Sequence, residues 1–133
     1  MLNVFQSLLT FQLAAPFILR VTIGLIFLKF GYQTLKNRRE KAEFVEGLGL
    51  KPGSLFVWIL GILEIIAGGF LLIGFLTQTA ALFAALTSLT AMILKKKHAS
   101  STKCSGGFLI LIILISISLL FTGAGFLAID LPL

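Results

Sequence analysis

The sequence alternates between long apolar blocks and short polar connections. Four blocks consist almost entirely of apolar and small residues, at about 13–35, 55–75, 78–95 and 107–122. A helix needs about 20 such residues to cross a bilayer core about 30 Å thick. The pattern therefore predicts an all-α integral membrane protein, a four-helix bundle that forms one domain over residues 1–133.

Glycine and threonine mark the predicted block ends. Gly74 is placed to end the second block, and Thr77 to cap the third. Gly123 and Gly125 are placed to end the fourth block. We expect helices that start and stop close to these residues.

The polar stretch after the first block predicts a short amphipathic helix. Its middle segment, REKAEFVEGL, brings apolar side chains to one face. Those side chains are Phe44, Val45 and Leu48.

Composition and charge support a membrane assignment. Hydrophobic residues make up 58% of the chain, against about 45–50% in soluble domains. The net charge is +6, and nine of the eleven Lys and Arg residues lie in the first and third connections. The positive-inside rule predicts that these connections are cytoplasmic and both termini external. Nucleic acid is not an expected partner, because its binding needs a basic face on a folded domain.

Four residues of the first block share one helical face. Arg20, Gly24, Phe27 and Gly31 are four, three and four positions apart, which places them within a stripe of roughly 60°. One interpretation is a glycine packing seam with an arginine that snorkels to the surface. The other is a cationic site inside the bundle, where the glycines admit a neighbouring helix or a ligand.

Glu64 is the one acidic residue inside the four blocks. A charge in mid-membrane costs about 2.5–3.5 kcal/mol, so this carboxyl group must be protonated, paired or facing a polar cavity. Gly61 and Gly68 leave space on its face. Arg20 is the expected partner, since the two Cα atoms differ in depth by roughly 8 Å in antiparallel helices.

This pair has two interpretations, a structural ion pair or a binding site for a quinone carbonyl or a proton. The second predicts an intramembrane polar binding site, to which no catalytic role is assigned. Its residues are Arg20, Glu64, Gly24, Gly31 and Gly68.

Other residues have simpler interpretations. Lys29 points away from the Arg20 stripe and is expected to snorkel. Lys95 to His98 are expected to anchor the third helix at anionic lipid. Cys104 is expected to be an ordinary loop thiol, because one cysteine closes no internal disulfide. With one Cys and one His, no metal or cofactor site is expected within the chain. A small-residue packing seam is predicted in the third block, at Ala81, Ala84, Ala85, Ser88 and Ala91.

The same residues resemble the DoxX family. The first helix is similar to its arginine-glycine-phenylalanine-glycine signature at Arg20, Gly24, Phe27 and Gly31. The ending GAGFLAID resembles the family's glycine-rich close. Thr34 and Gln78 depart from the family pattern, which often has basic residues or proline there. The loop and second helix resemble the family more closely, at Gly49, Pro52, Glu64, Gly68, Gly69, Gly74, Thr77 and Ala81.

This resemblance implies a four-helix protein of the inner (plasma) membrane. Some members of the family are subunits of quinone-linked oxidoreductases. We therefore expect a membrane subunit or scaffold of a redox complex, with quinone nearby and the redox cofactor on an oxidoreductase partner. There are two alternatives. One is a small transporter or permeability protein, alone or as a homo-oligomer, in which Glu64 relays protons; the other is a structural membrane anchor.

Overall fold

A computed structural model describes residues 14–97 and 105–123. The predicted apolar blocks all form helices, whose ends lie within two residues of the predicted ones. The polar stretch between the first two blocks forms a further short helix, also as predicted. The described residues contain the helices α1 (Ala14–Lys36), α2 (Arg38–Gly47), α3 (Gly53–Ile73), α4 (Thr77–Lys97) and α5 (Gly106–Thr122).

The helices have the lengths and surfaces of a membrane protein. α1, α3 and α4, with 23, 21 and 21 residues, are long and apolar enough to cross a bilayer, and the apolar α5 is shorter, at 17 residues. Large apolar side chains lie exposed along all four of these helices. The side chains buried among them include polar ones: Arg20, Thr34, Glu64, Thr77, Ser88 and Ser116. This arrangement is the reverse of a water-soluble surface, and it confirms the prediction of an all-α membrane protein.

Glycines end two helices where the sequence predicts. Gly74 follows α3 in the left-handed region, with φ of 76°, and its amide bonds to the Phe70 carbonyl. Gly123 follows α5 with φ of 74°. α4 begins at Thr77. The predictions for Gly125, His98 and Cys104 fall outside the described residues.

The bundle consists of two helix pairs. α1 packs most extensively against α3, and α4 against α5, with smaller contacts between the pairs. Three residues of the predicted seam on α4 are buried, namely Ala81, Ala84 and Ser88, and the other two, Ala85 and Ala91, are partly buried. A shared apolar core joins the four long helices, and it comprises Ile23, Phe27, Leu71, Ala80, Ala81, Ala84, Ile112 and Leu119.

One end of the bundle carries most of the charge, and we name it the basic end. It holds the end of α1, all of α2, the start of α3 and the end of α4 at Lys95–Lys97. The start of α5 lies there too, because the rings of Phe30 and Phe108 pack edge to face with centroids 6.2 Å apart.

Backbone contacts at glycines join α1 to α3. A Cβ on Gly24 would lie 3.0 Å from the Gly68 carbonyl oxygen, and one on Gly31 would lie 2.8 Å from the Gly61 carbonyl oxygen. A Cβ on Gly68 would lie 2.8 Å from the Gly24 carbonyl oxygen. Of the two roles expected for these glycines, close approach of a neighbouring helix is the one observed. The neighbouring helix fills the space above Gly24, Gly31 and Gly68, where a ligand was the other expectation.

The amphipathic α2 folds back on the start of α3. Its buried residue is Ala42, whose carbonyl oxygen lies where a Cβ of Gly53 would be. The Gly53 amide donates a hydrogen bond of 3.2 Å to Glu46 Oε1. The side of α2 that packs against α3 is therefore centred on Ala42, while Phe44 and Val45 are partly buried and Leu48 is exposed just beyond the helix end.

Candidate functional site

The predicted stripe on α1 faces the bundle interior. Arg20, Gly24, Phe27 and Gly31 are all buried. Thr34, three residues further along, continues the stripe and is also buried. Lys29 is exposed on another side of α1, as its spacing predicts. The stripe therefore faces the bundle interior, where its glycines pack against α3.

Glu64 forms a hydrogen bond with this stripe at Thr34. Thr34 Oγ1 donates to Glu64 Oε2 over 2.9 Å. Thr34 is fully buried, and Glu64 is 9% exposed. Gly61, one turn before Glu64, allows the approach, since a Cβ there would meet the Leu35 side chain at 2.8 Å. The bond therefore lies inside the α1–α3 interface.

Lys41 extends this bond toward the basic end. Its Nζ donates to Thr34 Oγ1 over 2.7 Å. Lys41 lies on α2, directly before the Ala42 that packs against Gly53, and it is half-buried. The fold of α2 onto α3 therefore brings a cationic side chain to the α1–α3 interface. We name these three residues the Lys41–Thr34–Glu64 chain.

The expected ion pair between Arg20 and Glu64 is wrong. The glycine contacts fix the register of α1 and α3, and they place Glu64 level with roughly residues 28–32 of α1, about 12–18 Å from the level of Arg20 at 1.5 Å per residue. The estimate from sequence assumed that the end of α1 and the start of α3 lie at the same depth. In the structure, the start of α3 extends past the end of α1 and lies beside α2. The guanidinium of Arg20 lies instead over the ring of Phe17, 5.2 Å from its centroid.

The structure therefore separates the predicted site into two places. Arg20, 1% exposed, lies toward the opposite end of the bundle, with Gly24 and Gly68 in the helix contact next to it. Glu64 lies toward the basic end, with Gly31 close by.

The Lys41–Thr34–Glu64 chain has the chemistry of a proton-exchanging site. A carboxyl group can hold or release a proton, and a hydroxyl group can donate one hydrogen bond while it accepts another. Ionisable groups placed inside a membrane commonly belong to substrate or proton pathways.

Sequence comparison places the chain in a family. A family model described as DoxX matches residues 15–96, which hold α2, α3 and all but one residue each of α1 and α4. The chain belongs to the DoxX family. The match includes all three residues of the Lys41–Thr34–Glu64 chain, so the candidate site lies within the family domain of this DoxX protein.

The DoxX protein also has a curated relative. It is 31% identical over 113 residues to a protein of Bacillus subtilis (strain 168) named "Putative oxidoreductase CatD". The aligned region covers 85% of this chain and 82% of that protein. No solved structure gives a significant match to the DoxX protein.

Sequence reasoning missed Thr34 and Lys41 as site residues. Thr34 could have been found, because it continues the four-three-four spacing of the stripe by a further three positions. Lys41 could not, because its approach depends on the packing of α2 against Gly53. Its charge in the sequence is indistinguishable from the other cations of the polar stretch.

Proposed function

We propose that this DoxX protein is a membrane subunit or scaffold of a quinone-linked redox complex in the inner membrane. Its four apolar helices would cross the bilayer, with the basic end cytoplasmic and both termini external, as the positive-inside rule predicts. A partner oxidoreductase would hold the redox cofactor, and this chain would supply the membrane-side binding site.

The observation that carries the proposal is the hydrogen bond between Thr34 and Glu64 inside the α1–α3 interface. Quinone reduction consumes protons as well as electrons, so a quinone site needs a group that can hold a proton within the membrane. Glu64 is such a group, and Thr34 fixes the orientation of its carboxyl oxygen.

The chemistry of the residues around Glu64 supports a quinone headgroup as the ligand. A carboxyl group can donate to a quinone carbonyl or accept from a quinol hydroxyl. Leu60 and Leu63, on the same stretch of α3, are exposed apolar side chains of the kind that contact lipid and polyprenyl tails. The headgroup would therefore reach Glu64 from the lipid-facing side, because helix contacts already fill the interior space over Gly61 and Gly68.

The relative's name supports the redox part of the proposal. That protein carries the description of an oxidoreductase, and the alignment extends over most of both chains. The described residues of this chain suit a membrane-embedded acid site better than a soluble catalytic centre, because large apolar side chains lie exposed along every long helix.

Affinity purification in mild detergent tests the proposal. Wild type is compared with Glu64→Gln and with Glu43→Gln, which makes the same chemical change at an exposed position on α2. Bound proteins and extracted quinones are identified by mass spectrometry, and quinone reduction is measured in membranes from cells lacking the protein.

We expect an oxidoreductase and quinone with wild type and Glu43→Gln, and loss of the quinone with Glu64→Gln. Deletion should lower quinone reduction, and wild type should restore it. Partner-free and quinone-free protein from all three, with unchanged quinone reduction, would contradict the proposal. Solute movement in liposomes by the isolated protein would favour a transporter instead.

A further inference from the structure

We propose that Lys41 and Thr34 form a proton route between water at the basic end and the carboxyl group of Glu64. This inference rests on the proposed function, because both treat Glu64 as a group that takes up and releases a proton. It adds the direction of proton entry and names the two residues that carry the proton.

Both hydrogen bonds of the Lys41–Thr34–Glu64 chain are donated in the direction of Glu64. Lys41 Nζ donates to Thr34 Oγ1 over 2.7 Å, and Thr34 Oγ1 donates to Glu64 Oε2 over 2.9 Å. Both distances are those of direct hydrogen bonds. Because an ammonium group donates and does not accept, the Thr34 hydroxyl hydrogen is directed to Glu64, and a transfer along both bonds needs no movement of heavy atoms.

In the transfer step, two protons move, and each crosses one hydrogen bond. The Oγ1–H bond of Thr34 breaks, and its proton forms a covalent O–H bond with Glu64 Oε2. At the same time an N–H bond of Lys41 breaks, and its proton restores the Thr34 hydroxyl group. Lys41 and Glu64 are then both neutral, and a proton from a hydronium ion or buffer acid restores the Lys41 ammonium. The net result is one proton moved from water to Glu64.

The surroundings favour this route over direct exchange with water. Thr34 is fully buried, so its hydroxyl group reaches solvent through Lys41. Lys41 is half-buried, and the residues directly before it, 35–40, line a surface recess of about 450 Å³. Two other charged residues of this region have different surroundings. Glu46 accepts a hydrogen bond from the Gly53 amide, and Lys29 is exposed on the outer side of α1.

Infrared spectroscopy on the purified protein in lipid nanodiscs tests the route. A jump from alkaline to acidic pH is followed through the band of a protonated carboxyl group that Glu64→Gln lacks. The variants are Thr34→Val, which removes the hydroxyl group at nearly constant shape, Thr34→Ser, which keeps it, and Lys41→Met. Lys29→Met is the matched control, because it removes an exposed lysine from the same region.

We expect Thr34→Val and Lys41→Met to slow protonation of Glu64 by about a hundredfold, at the lower end of what a positioned proton-transfer group contributes. Thr34→Ser and Lys29→Met should protonate at close to the wild-type rate. A wild-type rate in both Thr34→Val and Lys41→Met would overturn the route. Equal slowing in Thr34→Ser and Thr34→Val would also overturn it, as would a band that never appears on acidification.

This experiment needs no partner and no quinone. Its failure would leave copurification of an oxidoreductase unaffected, and a missing partner would leave the infrared rates unaffected. The proton route and the proposed function can therefore fail separately.

Discussion

Thr34 Oγ1 lies 2.9 Å from Glu64 Oε2, across the contact between α1 and α3. This hydroxyl group gives the buried carboxyl a donor within the bundle. The bond exists because Gly31 and Gly61 bring the two helix backbones close together at this level. A packing feature of the helices therefore creates the polar site.

Loss of the Thr34 hydroxyl group should destabilise the bundle. Thr34→Val leaves the Glu64 carboxyl without this donor, which we expect to cost about 1–3 kcal/mol. Thr34→Ser should cost less, because it keeps the hydroxyl group. Thr90→Val is the control, since Thr90 is exposed and bonds only to its own helix at the Leu86 carbonyl. Thermal unfolding in detergent measures the difference, and equal loss in Thr34→Val and Thr90→Val would contradict the assignment.

Neighbouring glycines on α3 should respond oppositely to alanine. Gly68→Ala places a Cβ 2.8 Å from the Gly24 carbonyl oxygen, and such overpacking costs about 1–3 kcal/mol. A Cβ on Gly69 would meet nothing within 4 Å. Gly69→Ala should be neutral or stabilising by up to about 1 kcal/mol, because alanine favours the helix. Unfolding midpoints compared side by side test this, and similar values for both variants would argue against the α1–α3 contact.

Gly53→Ala should displace α2 from α3. A Cβ at this position would collide with the Ala42 carbonyl oxygen and lie 2.7 Å from Glu46 Cγ. Lys41 should then lose its position beside Thr34 and react faster with an amine-specific acylating reagent, as measured by peptide mass spectrometry. Gly47→Ala is the control, because a Cβ there meets nothing within 4 Å. Unchanged labelling of Lys41 in Gly53→Ala would show that Gly53 does not position α2.

Two double-mutant cycles should show that Glu64 is energetically coupled to Thr34 and not to Arg20. Thr34→Val removes the hydrogen bond to residue 64, and Glu64→Gln replaces its carboxyl acceptor with an amide oxygen. Their effects on the free energy of unfolding should therefore be coupled by about 0.5–3 kcal/mol. Arg20→Gln and Glu64→Gln lie at different levels of the bundle and should add to within about 0.5 kcal/mol. Strong coupling in the second cycle would restore the ion pair that the sequence predicted.

Much of the fold could be predicted from the sequence because the bilayer imposes long apolar blocks. The ends of the helices followed from glycines such as Gly74, whose left-handed backbone stops α3. The inward face of α1 followed from the spacing of Arg20, Gly24, Phe27 and Gly31, since helical geometry alone places them together.

The partner of Glu64 could not be predicted because it depends on the register between two helices. A shift of one to two turns, set by glycine contacts, decides whether Arg20 or Thr34 lies near the carboxyl group. The position of Lys41 depends further on how α2 meets Gly53. Neither packing arrangement leaves a periodic signal in the sequence.

The division of the bundle into two helix pairs has a mechanical consequence. The Lys41–Thr34–Glu64 chain lies wholly within the pair formed by α1 and α3, with α2 attached to it, and the α4–α5 pair meets that unit through smaller contacts. A rigid-body displacement of one pair against the other would therefore bend the polypeptide backbone at the Gly74 turn. It would leave both hydrogen bonds of the Lys41–Thr34–Glu64 chain intact. Such a displacement would change the shape of the bundle in the membrane and keep Lys41, Thr34 and Glu64 together.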